Sequence, residues 1–355
     1  MAPDSFSEAV FARTERSAIM AHELQIDTET GKASMFYIDE VPWHGLGEKL
    51  SGPATSAEAI RAARLDWKVS KRELYVNQGR QYSKAEGWHA VTRPGTGNEP
   101  EHVVLGVVGS GYTPLQNSEA FTFFDNIVGK KSAIYHTAGA LGQGERVWIL
   151  AKLPDCIQVT GDDVADKYLL LSNSHNGSSA VQVKFTPVRV VCNNTLTLAL
   201  SQGDTIRIPH TRDVREMLRH AEQTLGIINH SYTTIAEVFK IMANVQMNNE
   251  KVKAYLEKVF PLPKDPYDTY GNKKALENRT LAEYLFDQGK GNRLQGVTGT
   301  LWAAYNGVTE LIDHRDTRRT PDQRLSSIWF GYGCQVKTRA YRVAMDLLKI
   351  GRAHV

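Results

Sequence analysis

The spacing of apolar residues changes near Pro209, and this change constrains the fold more than any other feature of the sequence. Before it, short apolar runs alternate or are bounded by glycine and proline, a pattern typical of β-strands. After it, apolar residues from Val214 to Met242 recur about every 3.5 residues, a period typical of helices packed lengthwise. The sequence therefore predicts an α+β fold: an antiparallel sheet with packed helices, then a long helical hairpin and a helical C-terminal part.

Glycine, proline and interruptions of the apolar spacing divide this pattern into segments. Proline is frequent just after residue 260, which marks a linker between two helical segments. Met20 reads as a natural start, and residues 350–355 (IGRAHV) match translated adapter DNA, although a native tail stays an alternative. The predicted segments are an N-terminal extension (1–32), an α+β body (33–210), a long helical hairpin (211–260), a Pro-rich linker (261–275), a helical basic part (276–349) and the terminal 350–355.

Composition and motifs exclude several classes of protein. No run of about 18 apolar residues occurs, so no membrane-spanning segment is expected. The three cysteines are far apart and no Cys/His ligand pair is present, which predicts neither a disulfide framework nor a metal site. The glycine-rich segment 139–144 leads into a strand and lacks a following Lys-Ser/Thr, so it predicts a hairpin turn and no nucleotide cofactor.

Residues 186–196 (TPVRVVCNNTL) carry a family resemblance, together with HNG at 175–177, MAHEL at 20–24 and WHGLG at 43–47. The chain resembles domain-of-unknown-function family 932, the phage/plasmid-like proteins. The resemblance implies a protein carried by mobile elements. A cytoplasmic location in the bacterial host is expected, because the sequence has no membrane-spanning stretch and its N-terminus is too charged for a signal peptide. It implies no particular activity.

A polar cluster surrounds this run and offers two interpretations. Amides at a helix start and an arginine beside them bind a phosphate well. The same groups also form ordinary caps and buried hydrogen-bond networks. The candidate anion-binding residues are Asn176, Arg189, Asn193, Asn194 and Thr195.

Cys192 and His175 are the candidate catalytic pair. They follow strands predicted to be neighbours, and a histidine next to a cysteine activates the thiol in cysteine hydrolases. A cysteine at a strand end more often only packs in the core, so this reading competes with a structural one. The sequence leaves enzymatic activity undecided, with the weight toward a binding protein.

Positive charge is concentrated near the C-terminus. Although the chain carries a net charge of only +3, residues 313–342 hold seven basic residues against three acidic ones, interleaved with aromatics. Cations beside aromatic rings suit single-stranded nucleic acid, whose bases stack while its phosphates are neutralised. The aromatics also suit a helical core. The candidate basic contacts are Lys290, Arg293, Arg315, Arg318 and Arg319.

These patterns lead to one expected function and two alternatives. We expect a protein of mobile-element DNA metabolism that binds single-stranded DNA in replication or recombination, with assembly into a homo-oligomer as an open question. The alternatives are a Cys/His-dependent hydrolase or transferase, and a non-catalytic host-interaction protein. No cofactor, metal or membrane partner is expected.

Overall fold

The chain folds into a large sheet, a small sheet and a helical part, which confirms the predicted α+β class. The structure is a computed structural model that describes Gln25 and residues 30–38, 47–128, 134–189, 191, 194–195, 205–217, 228–314 and 326–352. The strands are β1 (Met35–Ile38), β2 (Glu48–Leu50), β3 (Ser70–Asn77), β4 (Tyr82–Pro94), β5 (His102–Gly109), β6 (Ile134–Leu141), β7 (Arg146–Thr160), β8 (Asp163–Ser174), β9 (Val181–Phe185), β10 (Val188–Arg189), β11 (Asn194–Thr195) and β12 (Thr205–Ile208). The helices are α1 (Ser56–Ala62), α2 (Asn117–Val128), α3 (Ile228–Asn244), α4 (Asn249–Val259), α5 (Thr269–Gln288), α6 (Leu301–His314) and α7 (Tyr332–Arg352).

The long β7–β8 hairpin is the centre of the large sheet. The strands of this sheet lie in the order β11-β10-β8-β7-β6-β1-β2, while β9 pairs with β8 and β12 pairs with β9. All these pairs are antiparallel except β1–β2, which is parallel. The hairpin predicted around the glycine-rich segment 139–144 is the antiparallel β6–β7 pair.

Both faces of the large sheet are covered, which explains why its central strands are apolar at successive positions. On one face Ile149 and Leu171 pack in a core with α1 and α2. On the other face Trp148 and Leu170 pack against Trp329, which belongs to a short helical turn at 326–329. The sequence predicts a sheet with helices on one face, because the alternation of a strand does not show what covers its second face.

The small sheet, β3-β4-β5, meets the large sheet through a glycine contact. A Cβ at Gly106 would lie 2.6 Å from the Cα and Cβ of Asn176, which follows β8. On the opposite side of the small sheet Trp88 is exposed. The backbone contact at Gly106 therefore sets how closely the two sheets approach.

We expect Gly106→Ala to lower the free energy of unfolding by about 1–3 kcal/mol, because its new methyl group would overlap the Asn176 backbone. Gly109 lies in the same strand and has open space around its Cα, so Gly109→Ala is a matched control. Urea denaturation of both variants tests the expectation. Equal stability of the two variants would show that the sheets do not meet through Gly106.

The helical part packs its own core against the far end of the β7–β8 hairpin. Phe239 of α3, Tyr255 of α4 and Trp302 of α6 are buried together with Ile157 of β7.

Helix α5 begins at Thr269, inside the segment 261–275 that the sequence predicts as a linker. The helix can begin there because Asp268 caps it by accepting a hydrogen bond from the Gly271 N–H.

The predicted long hairpin is described only in part. A helical turn occupies 214–217 and α3 begins at Ile228, while residues 218–227 lie outside the described residues. Within the described ranges no helix combines the length and apolar character that crossing a membrane requires. The same ranges contain no group of three His, Cys, Asp or Glu side chains placed to hold a metal ion.

Candidate nucleic-acid interface

Arg189 lies in β10 and is fully buried in an ion pair. Its Nε is 2.8 Å from Oδ1 of Asp163, and its Nη2 is 2.8 Å from Oδ2. The indole Nε1 of Trp302 donates to the same Oδ2 at 2.7 Å. The Asp163 carboxylate therefore accepts hydrogen bonds both from Arg189 in the sheet and from Trp302 in α6.

The remaining donors of Arg189 bind the loop that follows α5. Nη1 donates to Oδ1 of Asn292 at 3.0 Å and to the Lys290 carbonyl oxygen, and Nη2 donates to the Gly291 carbonyl oxygen at 2.9 Å. All three guanidinium nitrogens of Arg189 thus donate hydrogen bonds within the protein. This is the geometry of a buried hydrogen-bond network, the alternative to a phosphate site in the sequence analysis. It joins the sheet to the helical part.

The neighbouring candidate residues are placed differently. Lys290 and Arg293 are exposed beside this loop. The backbones of Asn194 and Thr195 pair with β10, while Asn193 lies outside the described residues. Of this set, the structure places Arg189 in contact with the backbone carbonyl of Lys290.

Asn176 is a turn residue. Its Oδ1 accepts hydrogen bonds from the Ser174 hydroxyl at 2.7 Å and from the Ser178 N–H at 3.0 Å. This is the geometry of an Asx turn, which explains an asparagine at this position without a ligand.

His175 is fully buried, and its proposed partner Cys192 lies outside the described residues. Its Nε2 is 2.9 Å from Oδ1 of Asn117, while Nδ1 has no hydrogen-bond partner among the described residues. Burial lowers the pKa of His175 to about 3, and the nearby His210 acts in the same direction. A general base works best with a pKa near the operating pH, so nothing in this geometry favours His175 as a base.

Much of the basic C-terminal segment is likewise placed in the interior or lies outside the described part. Lys337 is buried in an ion pair with Asp313 at 2.8 Å. The aromatic residues Trp302, Tyr305 and Tyr341 belong to the helical core. Arg315, Arg318 and Arg319 lie outside the described residues.

A cluster of cations that the sequence analysis did not single out lies on the large sheet. We call Arg146, Lys184 and Arg207 the basic cluster. Lys184 and Arg207 come from the neighbouring strands β9 and β12, and Arg146 begins β7. The strand register places all three on the face that carries Trp148, since residues paired across strands share a face.

The basic cluster is electrostatically uncompensated at Lys184. Burial lowers the pKa of Lys184; Cys334 acts in the opposite direction, and Arg207 and Arg146 lower the pKa further. Among the described residues no carboxylate forms an ion pair with Lys184 or Arg207. An anion placed here would relieve the repulsion between like charges.

Phe330 supplies an aromatic surface beside these cations. The Arg146 guanidinium carbon lies 4.5 Å from the centre of the Phe330 ring, and the Lys184 ammonium nitrogen lies 5.7 Å from it. The preceding Trp329 anchors this segment, because its ring contacts the buried Trp148 ring edge-on at 4.8 Å. The cluster is therefore a cation–aromatic surface held by the core.

One sequence signal could have indicated the cluster. In β9, Gln182 and Lys184 occupy the polar positions of an alternating strand, and Arg207 does so in β12. Their meeting depends on strand register and on the position of Phe330, which residue spacing does not give.

Comparison with known proteins identifies relatives without a described activity. The family model described as "Domain of unknown function (DUF932)" matches residues 104–329, a range that includes the whole basic cluster. The chain is 26% identical over 156 residues to UPF0380 protein YfjQ of Escherichia coli (strain K12), covering 44% of this chain and 50% of that protein. It is 37% identical over 73 residues to UPF0380 protein YafZ of the same organism, covering 20% and 26%. The chain thus spans half or less of the length of these relatives. No solved structure matches it significantly.

Proposed function

The chain belongs to the DUF932 family, whose description assigns no activity, and from this premise we propose that it binds single-stranded DNA at the basic cluster. The observation that carries the proposal is the meeting of Arg146, Lys184 and Arg207 on one sheet face beside the Phe330 ring. All three cations lie within the range of the family match.

The chemistry of the cluster favours a phosphodiester ligand. Among the described residues no carboxylate forms an ion pair with Lys184 or Arg207, so both cations can attract phosphates. Contact with phosphates releases counterions, which makes binding favourable and dependent on salt. Lys184 gains most from such a ligand, because it is partly buried among like charges. A phosphate would supply an opposite charge and relieve the repulsion from Arg207 and Arg146.

The aromatic component favours a single strand over a duplex. Unpaired bases expose their faces and stack on aromatic side chains, whereas paired bases are stacked already. Phe330 holds such a ring at the cluster. Elsewhere in the helical basic part (276–349), Trp302, Tyr305 and Tyr341 are buried. The proposal therefore places the contact surface where Phe330 meets the cations of the sheet.

The biological setting is part of the same proposal. The resemblance to phage/plasmid-like proteins suggests that the bound strand is an intermediate of mobile-element replication or recombination. Assembly into an oligomer on such a strand belongs to the proposal as well.

We expect Lys184→Gln and Arg207→Gln each to weaken binding of a labelled single strand, by a similar factor for every base sequence. Loss of one phosphate contact should also reduce the slope of log affinity against log salt by about 0.7. Fluorescence anisotropy titrations at several salt concentrations measure both quantities, with a duplex of the same sequence for comparison.

Two controls separate this effect from general loss of charge or structure. Lys253→Gln removes an exposed cation from α4, away from the sheet, and should leave affinity and salt slope unchanged. Lys184→Arg keeps the charge and should retain binding. Unchanged affinity of Lys184→Gln and Arg207→Gln, or equal weakening by Lys253→Gln, would contradict the proposed site.

A further inference from the structure

A second cation–aromatic contact lies next to the basic cluster. Tyr332 follows Phe330 by two residues and is 43% exposed. The ammonium nitrogen of Lys274, from α5, lies 5.4 Å from the centre of the Tyr332 ring. Two residues of chain span at most about 7 Å, so the Cα atoms of Phe330 and Tyr332 are no farther apart than this.

The surface continues along the first turns of α5. Tyr270 precedes Lys274 by four residues, so the two side chains lie on the same side of the helix. Tyr270 is 67% exposed. Its distance from Lys274 along the helix axis is about 6 Å. An exposed ring thus follows the Lys274 cation.

Nearby acidic groups already have partners. Asp268 caps α5 through the Gly271 N–H. Glu277 lies 3.9 Å from Lys273 in an exposed pair. In the described part of the chain neither carboxylate forms an ion pair with Lys274, so the positive charge of Lys274 is available to a ligand.

We infer that a single strand of DNA leaves the basic cluster and passes over Phe330, Tyr332, Lys274 and Tyr270, with its bases stacked on the rings. We call these four residues the aromatic track. The alternation of rings and cations corresponds to the alternation of bases and phosphates in a single strand. The inference rests on the proposed function and adds to it the path and the mode of base contact.

This path predicts binding without sequence preference. Every base presents a π-face, while the track as described offers no set of fixed donors and acceptors to read base edges. An acidic peptide would satisfy Lys274, but it would leave the exposed Tyr270 and Tyr332 rings without aromatic partners. The interleaved rings therefore favour an unpaired nucleic acid strand.

Oligothymidylates of two lengths test the track. The shorter one, about 5 nucleotides, covers the basic cluster alone, and the longer one, about 15 nucleotides, reaches the track as well. We expect Tyr270→Ala and Tyr332→Leu each to weaken binding of the longer strand about fivefold or more. Affinity for the shorter strand should stay within about twofold of the parent protein. Tyr82→Ala is the matched control, because it removes an exposed tyrosine from the small sheet.

The outcomes distinguish the track from the basic cluster. If both tyrosine variants bind the longer strand like the parent protein, while Lys184→Gln weakens both strands, the track is wrong and the proposed site stands. If the parent protein binds neither strand, both proposals fail. Tyrosine-dependent binding of polyglutamate in place of DNA would also overturn the track and assign this surface to an acidic protein. Loss of the longer strand's advantage in the tyrosine variants supports it.

Discussion

Asp163→Asn is expected to lower the free energy of unfolding by about 3–5 kcal/mol, because it leaves the Arg189 guanidinium buried without its counter-ion. Both side chains have no exposed surface, so solvent does not screen the lost interaction. The variant also weakens the bond from Trp302 Nε1, which connects α6 to the same carboxylate. We therefore expect the sheet and the helical part to lose their connection together.

Urea denaturation followed by tryptophan fluorescence measures this effect. Glu73→Gln is the control, because it breaks the exposed Lys84–Glu73 pair, which solvent screens, and should change the free energy of unfolding far less. In the double variant Asp163→Asn/Arg189→Met, removal of the buried cation should recover part of the loss. Equal costs for Asp163→Asn and Glu73→Gln would show that Arg189 does not need its buried partner.

Acidification is expected to destabilise the protein through His175 by as much as about 1.4 kcal/mol per pH unit. Burial lowers the pKa of this histidine from 6.5 to about 3 in the folded chain. Between these values only the unfolded chain takes up the proton, so stability is complete above about pH 6.5 and falls as the pH decreases toward 3. Burial lowers the pKa of His210 as well, which acts in the same direction.

The contribution of His175 appears as a difference between two pH profiles. Several carboxylates also titrate in acid, so the slope of the parent protein alone does not isolate the histidine. His175→Gln keeps an N–H donor for Asn117 and removes the titration, so its unfolding free energy should depend less on pH between about 6.5 and 3. Identical slopes for His175→Gln and the parent protein would contradict a buried neutral His175.

Local patterns predicted the secondary structure well where neighbouring residues control it. Apolar spacing and capping residues predict a helix from Asn117 to Val128, and apolar residues predict a short strand from Thr205 to Ile208. The structure has both elements at these bounds. In α1 the sequence predicts Ser56 as the cap, whereas in the structure Thr55 forms a capping box with Glu58. Secondary-structure propensity, helix caps and turn glycines act over a few residues, so the sequence alone is sufficient to predict their effects.

Long-range partners were not predictable in the same way. The sequence marked Arg189 as polar and potentially buried, but its partners Asp163 and Asn292 lie 26 residues before it and 103 residues after it. The aromatics near the C-terminus could belong to a core or to a surface, and the structure places Trp302 inside while leaving Tyr332 partly exposed.

By itself, the sequence determined the α+β class, the change from strands to helices after Pro209 and the family. Only the tertiary structure decided that Arg189 is enclosed by Asp163 and the loop after α5, and that Arg146, Lys184 and Arg207 share one face beside Phe330. The physical reason is the range of the forces involved. Hydrophobic period and capping act between near neighbours, whereas burial of a charge and the meeting of cations depend on strand register and on which element covers each face.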